Sequence, residues 1–123
     1  MNTKTINIQV LALLGDAVLS LYIREKLLNK GINNANKLNS LAVPYVSAKG
    51  EVKILNKLLE DKFLTEEELD IVKRGRNNKK ENHPKNTDII TYKLSTGFEA
   101  LLGDLYLNNK ERLEELLNKI EVE

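Results

Sequence analysis

The feature that most constrains the fold is an apolar segment, residues 11–24, that contains a single carboxylate. It reads Leu-Ala-Leu-Leu-Gly-Asp-Ala-Val-Leu-Ser-Leu-Tyr-Ile-Arg. A helix that is apolar on nearly all sides is buried by several neighbours, so the segment predicts a central helix. Asp16 lies in its middle, beside Gly15. Because a buried carboxylate is costly unless it is paired, hydrogen-bonded or bound to a metal, Asp16 needs a structural partner or has a function.

Composition narrows the classes of protein. The chain has 123 residues, enough for one core, and we expect a single domain over residues 1–123. The absence of cysteine excludes disulfides and thiolate chemistry and fits a cytoplasmic location. The apolar run is shorter than the about 20 residues of a membrane span, and the N-terminus lacks the pattern of a signal peptide. We therefore expect no membrane association.

Apolar periodicity and capping signals predict about six helices and no strand, which is an all-α fold. The signals are Gly31 after the first helix, Pro44 as an interruption of the second, and a Thr65–Glu68 capping box before the fourth. The first predicted helix follows an N-cap at Thr5 or Asn7 and ends at about residue 30. The others cover about residues 33–44, 45–60, 65–75, 88–107 and 109–120. Residues 76–87 contain Pro84 and several Asn without an apolar period, and predict a loop.

A second acidic residue on an apolar helix is a candidate partner for Asp16. The fifth predicted helix carries Glu99 and Asp104, which are about 140° apart around a helix, so only one of them can face Asp16. Glu99 is favoured because small or polar residues lie one turn to either side, at Ser95, Thr96 and Gly103. Asp104 is expected to face solvent. The pentapeptide Ala-Leu-Leu-Gly-Asp occurs at 12–16 and again at 100–104, but the flanking residues differ and we interpret the match as coincidence.

Two carboxylates from separate helices, Asp16 and Glu99, suit Mg²⁺, which takes one or two protein carboxylates and keeps several waters. The structural alternative is that Asp16 hydrogen-bonds a neighbouring helix end and that Glu99 pairs with a Lys or Arg. Buried carboxylates cluster at functional sites only as a tendency, so physics alone leaves both interpretations open.

Charge is distributed unevenly along the chain. Residues 71–93 hold seven basic and two acidic residues, a net charge of +5, which leaves −4 for the remainder. Such a segment is typical of phosphate-backbone binding, and a solvated loop is the alternative. Few aromatic residues lie nearby, which favours duplex RNA, recognised by shape and phosphate, over stacked single strands. His83 is expected to be solvated, and no Gly-rich phosphate loop is present.

Five segments in order resemble one known family. Residues 14–18 (Leu-Gly-Asp-Ala-Val) resemble the signature of ribonuclease III, and residues 98–103 (Phe-Glu-Ala-Leu-Leu-Gly) resemble its second acidic helix. Residues 45–49, 73–77 and 84–88 resemble the Mini-ribonuclease III branch, which consists of the catalytic domain without a double-stranded-RNA-binding domain. Gly-Asp-Ala alone is a weak signal, whereas five such segments in the right order are specific.

The resemblance implies a two-fold homodimer whose subunits each hold one Mg²⁺-dependent centre and together cut both strands of duplex RNA. The branch is associated with maturation of the 23S ribosomal RNA precursor, with a ribosomal protein as a candidate partner that presents the substrate. Asp16 and Glu99 match the essential metal-associated acids. Full-length ribonuclease III has further carboxylates where this chain has Gln9, Ala12 and Thr96. The Mini branch shares this thinner set, and Asp104 stands where an aromatic residue is expected.

The expected mechanism is metal-assisted phosphodiester hydrolysis at Asp16 and Glu99, with Ser95 or Thr96 holding an outer-shell water. We expect phosphate contacts from the start of the third helix and from the basic segment; these residues are Ser47, Lys49, Lys73, Arg74, Arg76, Asn77, Lys79, Lys80 and Lys85. Two alternatives stay open: an RNA-binding or assembly module of the same fold without catalysis, and a structural helical dimer in which Asp16 is simply hydrogen-bonded.

Overall fold

A computed structural model describes residues 2–78 and 88–123, and within these ranges the chain is helical, with no strand. The prediction of an all-α fold is therefore confirmed. A short 3-10 turn at Thr3–Thr5 precedes the helices. The six helices are α1 (Ile8–Asn29), α2 (Ala35–Val46), α3 (Ala48–Glu60), α4 (Glu66–Asn77), α5 (Ile89–Asn108) and α6 (Lys110–Leu117).

Helix α5 is the centre of the fold, and the prediction that the helix over residues 11–24 is buried on nearly all sides is wrong, because Leu13 and Leu21 of α1 are exposed. Helix α5 packs along α1 and also contacts α3, α4 and α6, while α2 fills the angle between α1 and α3. Its side chains from Ser95 to Phe98 and from Ala100 to Gly103 are all buried. The main core combines residues of α5 with apolar residues of the surrounding helices, chiefly Leu19, Ile23, Leu27, Leu55, Leu58 and Leu116.

Helix starts follow the capping residues that the sequence indicates. The Thr65 hydroxyl accepts a hydrogen bond from Glu68 N, and the Glu68 carboxylate accepts one from Thr65 N, so the predicted capping box is present. Asp88 caps α5 through Thr91 N. Gly31 follows α1 with a φ of +96°, as a left-handed residue after a helix requires.

The predicted end of α2, start of α3 and end of α4 are wrong. Pro44 lies inside α2, which continues to Val46, and α3 begins at Ala48 because Ser47 caps it by accepting from Gly50 N. The capping side chain therefore sets the break, since a proline in the last turn forfeits only one backbone hydrogen bond. Helix α4 runs past Gly75 to Asn77, because that glycine is a packing contact with α5 rather than a helix end.

In the two described ranges, no helix combines the length and the apolar character that crossing a membrane requires.

Candidate active site

The candidate site lies where α1 crosses α5 in direct backbone contact. A Cβ on Gly15 would lie 1.7 Å from the carbonyl oxygen of Glu99, and a Cβ on Gly103 would lie 2.0 Å from that of Leu11. Gly15 thus contacts Glu99, four residues before Gly103, and Gly103 contacts Leu11, four residues before Gly15. The two Ala-Leu-Leu-Gly-Asp segments therefore face one another, and the repeated glycine has the same packing role in both helices.

Three carboxylates converge beside this crossing. One oxygen from each of Asp16, Glu51 and Glu99 lies within 4.8 Å of the other two. Asp16 is exposed, Glu99 is half-buried, and Glu51 is buried. The structure thus brings together the two acids that the sequence selects. The expectation that Asp16 is buried is wrong, because it lies on the solvent-facing side of α1. The catalytic and metal-binding roles of Asp16 and Glu99 stay a prediction.

Glu51 is the residue that the sequence interpretation missed. It lies in the first turn of α3, on the same face as the core residues Leu55 and Leu58, which follow at the four- and seven-residue helical spacing. An acid on the apolar face of an amphipathic helix was the available signal. Locating the other two acids beside it required the α3–α5 contact, which no local pattern specifies.

The environment of Glu51 strongly disfavours an isolated charge. The side chain is 1% exposed, and neither of its carboxylate oxygens has a hydrogen-bond partner. Burial, reinforced by the neighbouring charges of Glu99 and Asp16, raises the pKa of Glu51 to about 11. A hydrogen bond to Glu99 can form only when one of the two carboxyls carries a proton. A proton or a bound cation would therefore relieve the electrostatic repulsion among the three carboxylates.

The other small and polar residues of α5 have structural roles. The hydroxyls of Ser95 and Thr96 both donate to the carbonyl oxygen of Tyr92, at 2.8 and 3.0 Å. Their hydroxyl hydrogens are therefore bonded to the backbone of α5 and not to the carboxylates. Asp104 is half-buried rather than fully solvated. Its carboxylate accepts from Asn108 Nδ2 at 3.3 Å, and the same amide donates to the buried Thr3 hydroxyl.

The basic residues of α4 lie on another side of α5. A Cβ on Gly97 would lie 2.4 Å from the carbonyl oxygen of Val72, so Gly97 faces α4. Gly97 and Glu99 are about 160° apart around the helix. Lys73, Arg74 and Asn77 line a groove of about 700 Å³ with residues 6–8. None of Asp16, Glu51 and Glu99 lines this groove.

The remaining predicted RNA contacts are divided between the two sides. Arg76 is half-buried, and its Nε donates to Asn77 Oδ1 at 3.2 Å. Ser47 and the exposed Lys49 lie at the start of α3, within four residues of Glu51, on the acidic side. Lys79, Lys80, Lys85 and His83 lie outside the described residues.

Comparison with known proteins decides the family. The pattern described as the ribonuclease III domain matches residues 9–110, most of the chain. The chain belongs to the ribonuclease III family. It is 47% identical to the Mini-ribonuclease 3 of Streptococcus pneumoniae, over 95% of this chain and 92% of that protein. It is 48% identical to the Mini-ribonuclease 3 of Staphylococcus aureus, over 95% and 88%.

A solved structure agrees with this assignment. The crystal structure of a Fusobacterium nucleatum protein is 33% identical in sequence and superposes with a TM-score of 0.82, covering 96% of this chain and 93% of that one. The resemblance drawn from the five segments is therefore confirmed. So is the predicted enzyme class, a double-strand-specific endoribonuclease. The family depends on divalent metal, and the acidic cluster offers ligands for one.

Proposed function

We propose that this chain is a Mg²⁺-dependent endoribonuclease in which Asp16 and Glu99 hold the metal. The convergence of two carboxylates from different helices, with Asp16 open to solvent, is the observation that carries the proposal. An RNA phosphate can approach Asp16, because this residue is exposed.

The donor set fits a hard divalent cation. Mg²⁺ takes carboxylate oxygens as protein ligands, and one oxygen from each of Asp16, Glu51 and Glu99 lies within 4.8 Å of the other two. These acids would hold the ion. The unpartnered oxygens of Glu51 are further support, because a cation in the cluster would compensate their buried charge.

The groups around the acidic cluster are suited to binding the RNA phosphates. When bound, the ion supplies an activated water and stabilises charge on the scissile phosphate. The first turn of α3 presents backbone N–H groups beside the site, and helix N-termini favour anions. Lys49 adds a positive charge there. We assign these groups to holding the phosphate next to the cut, and the basic residues of α4 to gripping the duplex backbone elsewhere.

A second copy of the chain is the partner that this geometry favours. Helix α1 has an exposed apolar stripe next to Asp16: Val10 is 56% exposed, Leu13 72% and Leu21 68%. Contact between two such stripes would bury them and place two acidic clusters about a two-fold axis. Two centres so related match the two strands of a duplex. The stripe is thus the proposed homodimer interface.

The biological setting is proposed from the relatives. Near-half identity to several Mini-ribonuclease 3 proteins favours the 23S ribosomal RNA precursor as the natural substrate, and hence a cytoplasmic enzyme. A ribosomal protein bound to that precursor is a candidate to present it. That the catalytic domain acts without a separate double-stranded-RNA-binding domain stays a prediction.

Cleavage of long duplex RNA at low salt, with and without Mg²⁺, tests the proposal. Asp16→Asn should lower the cleavage rate by roughly 10³-fold or more, because metal sites contribute several kcal/mol to such transition states, while RNA binding is retained. Asp61→Asn is the matched control, since its surface pair with Lys57 contributes little. Wild-type protein that binds RNA without cutting it would favour the non-catalytic module. Failure to bind would favour a structural dimer.

A further inference from the structure

We infer that Glu51 is a third carboxylate ligand of the metal centre, supplied by α3 in addition to Asp16 on α1 and Glu99 on α5. The inference rests on the proposed function, because it concerns the same metal. It goes further by assigning a role to a residue outside both acidic motifs of the sequence. The three acids come from three different helices, so the centre would join α1, α3 and α5.

The first observation is an unpartnered carboxylate aimed at the cluster. Glu51 is 1% exposed, and both of its oxygens lack a hydrogen-bond partner while one lies within 4.8 Å of oxygens of Asp16 and Glu99. A buried carboxylate that is ionised needs a positively charged partner. No cationic side chain among the described residues forms an ion pair with Glu51. A divalent cation held by all three acids would supply the missing positive charge.

The second observation is that the backbone holds Glu51 in place. A Cβ on Gly50 would lie 2.0 Å from the carbonyl oxygen of Pro44, so the start of α3 lies directly against the end of α2. Ser47 caps the helix through Gly50 N. One and two turns further along, Leu55 and Leu58 are buried in the core. A ligand on such a support is pre-positioned, as an effective metal site requires.

The third observation is that two other positions on the same helices, Ala12 of α1 and Thr96 of α5, supply no carboxylate. Ala12 is 3% exposed and has no polar side chain. The Thr96 hydroxyl donates to Tyr92 O. With Asp16 and Glu99 alone the centre would have two carboxylates, and Glu51 raises the number to three.

A titration of the metal-free protein with Mn²⁺ by calorimetry tests the inference without measuring activity. Glu51→Gln should raise the Kd for Mn²⁺ about tenfold or more, because even outer-shell partners of metal sites cost roughly 10–100-fold when removed. Glu60→Gln is the matched control: it removes the same charge from an exposed position of the same helix and should leave the Kd unchanged.

Circular dichroism establishes that each variant is folded. Glu51→Met, which fills a similar volume without an oxygen ligand, gives a second measurement and should show the same loss of affinity. A wild-type Kd in either folded variant would overturn the inference and leave Glu51 as a protonated partner of Glu99. Cleavage of duplex RNA by the wild-type protein decides the proposed function separately, so either conclusion can fail alone.

Discussion

Helix α5 is crossed by α1 on one side and by α4 on another, and both crossings are glycine contacts with opposite electrostatic character. The α1 crossing uses Gly15 and Gly103 and carries the acidic cluster. The α4 crossing uses Gly75 and Gly97 and carries Lys73 and Arg74 on its outer surface. Similar glycine contacts thus position the acidic cluster and the basic surface of α4 on different sides of one helix.

The two crossings also differ in how they are held. At the α1 crossing the nearest atoms to an added Cβ are carbonyl oxygens at 1.7 and 2.0 Å, whereas at the α4 crossing the shortest distances are 2.6 and 2.4 Å. In compensation, α4 has a polar anchor at its start, where Glu68 pairs with Arg112 of α6. The separation of the two sides implies that the proposed catalysis and the proposed duplex binding depend on different residues. Each set can therefore be substituted without changing the other.

The largest stability effect is expected at the tighter crossing. Gly15→Ala forces the carbonyl of Glu99 away and should lower the free energy of unfolding by about 3 kcal/mol or more, since overpacking costs about 1–3 kcal/mol and occasionally more. Gly97→Ala, at the looser crossing, should cost less. Urea unfolding monitored by circular dichroism measures both. A larger loss in Gly97→Ala would contradict the ranking of the two crossings.

How much of this arrangement the sequence predicts depends on the range of the interactions involved. The starts of α4 and α5 were predictable because Thr65 and Asp88 act on N–H groups three residues away. The pairing of Asp16 with Glu99 was predictable from the small residues around Glu99. Gly75 was misread as a helix end because only the approach of Gly97 explains it. Glu51 was missed for the same reason: its partners come from α1 and α5.

An intermediate and pH-dependent effect is expected at the anchor of α4. Arg112 donates to both carboxylate oxygens of Glu68 at 2.8 Å and to Phe63 O at 2.7 Å. The Arg112 guanidinium holds the pKa of Glu68 below its usual value. A lowered folded-state pKa stabilises the protein above the unfolded-state pKa of about 4.3, and this contribution is lost as the pH falls through the lower folded-state pKa.

Arg112→Met should therefore cost about 2 kcal/mol at pH 7, in the range of hydrogen bonds to charged groups. The difference from the wild type should narrow when the pH is lowered to about 3. Unfolding free energies at both pH values check this, with Lys57→Met as a control that removes only a surface pair. A difference that does not change with pH would mean that the α4 anchor is held by packing alone, as the α1 crossing is.

The smallest effect is expected on the basic surface of α4, and it tests the separation of the two sides directly. Lys73→Gln combined with Arg74→Gln should raise the Kd for duplex RNA severalfold and lower the slope of log Kd against log salt by about 2, roughly 1 for each phosphate contact removed. The single-turnover cleavage rate at saturating RNA should not change, because these side chains line a groove that contains none of Asp16, Glu51 and Glu99.

Lys49→Gln gives the complementary result on the acidic side. Lys49 is exposed and lies two residues before Glu51, so its loss should lower the single-turnover cleavage rate severalfold and reduce the salt slope by about 1. Binding is measured in the Asp16→Asn background, where the RNA stays intact. If the double substitution on α4 lowers the cleavage rate as much as Lys49→Gln does, both surfaces act at the same point of the duplex. The partner subunit's α4, brought close by dimerisation, would then have to supply that contact.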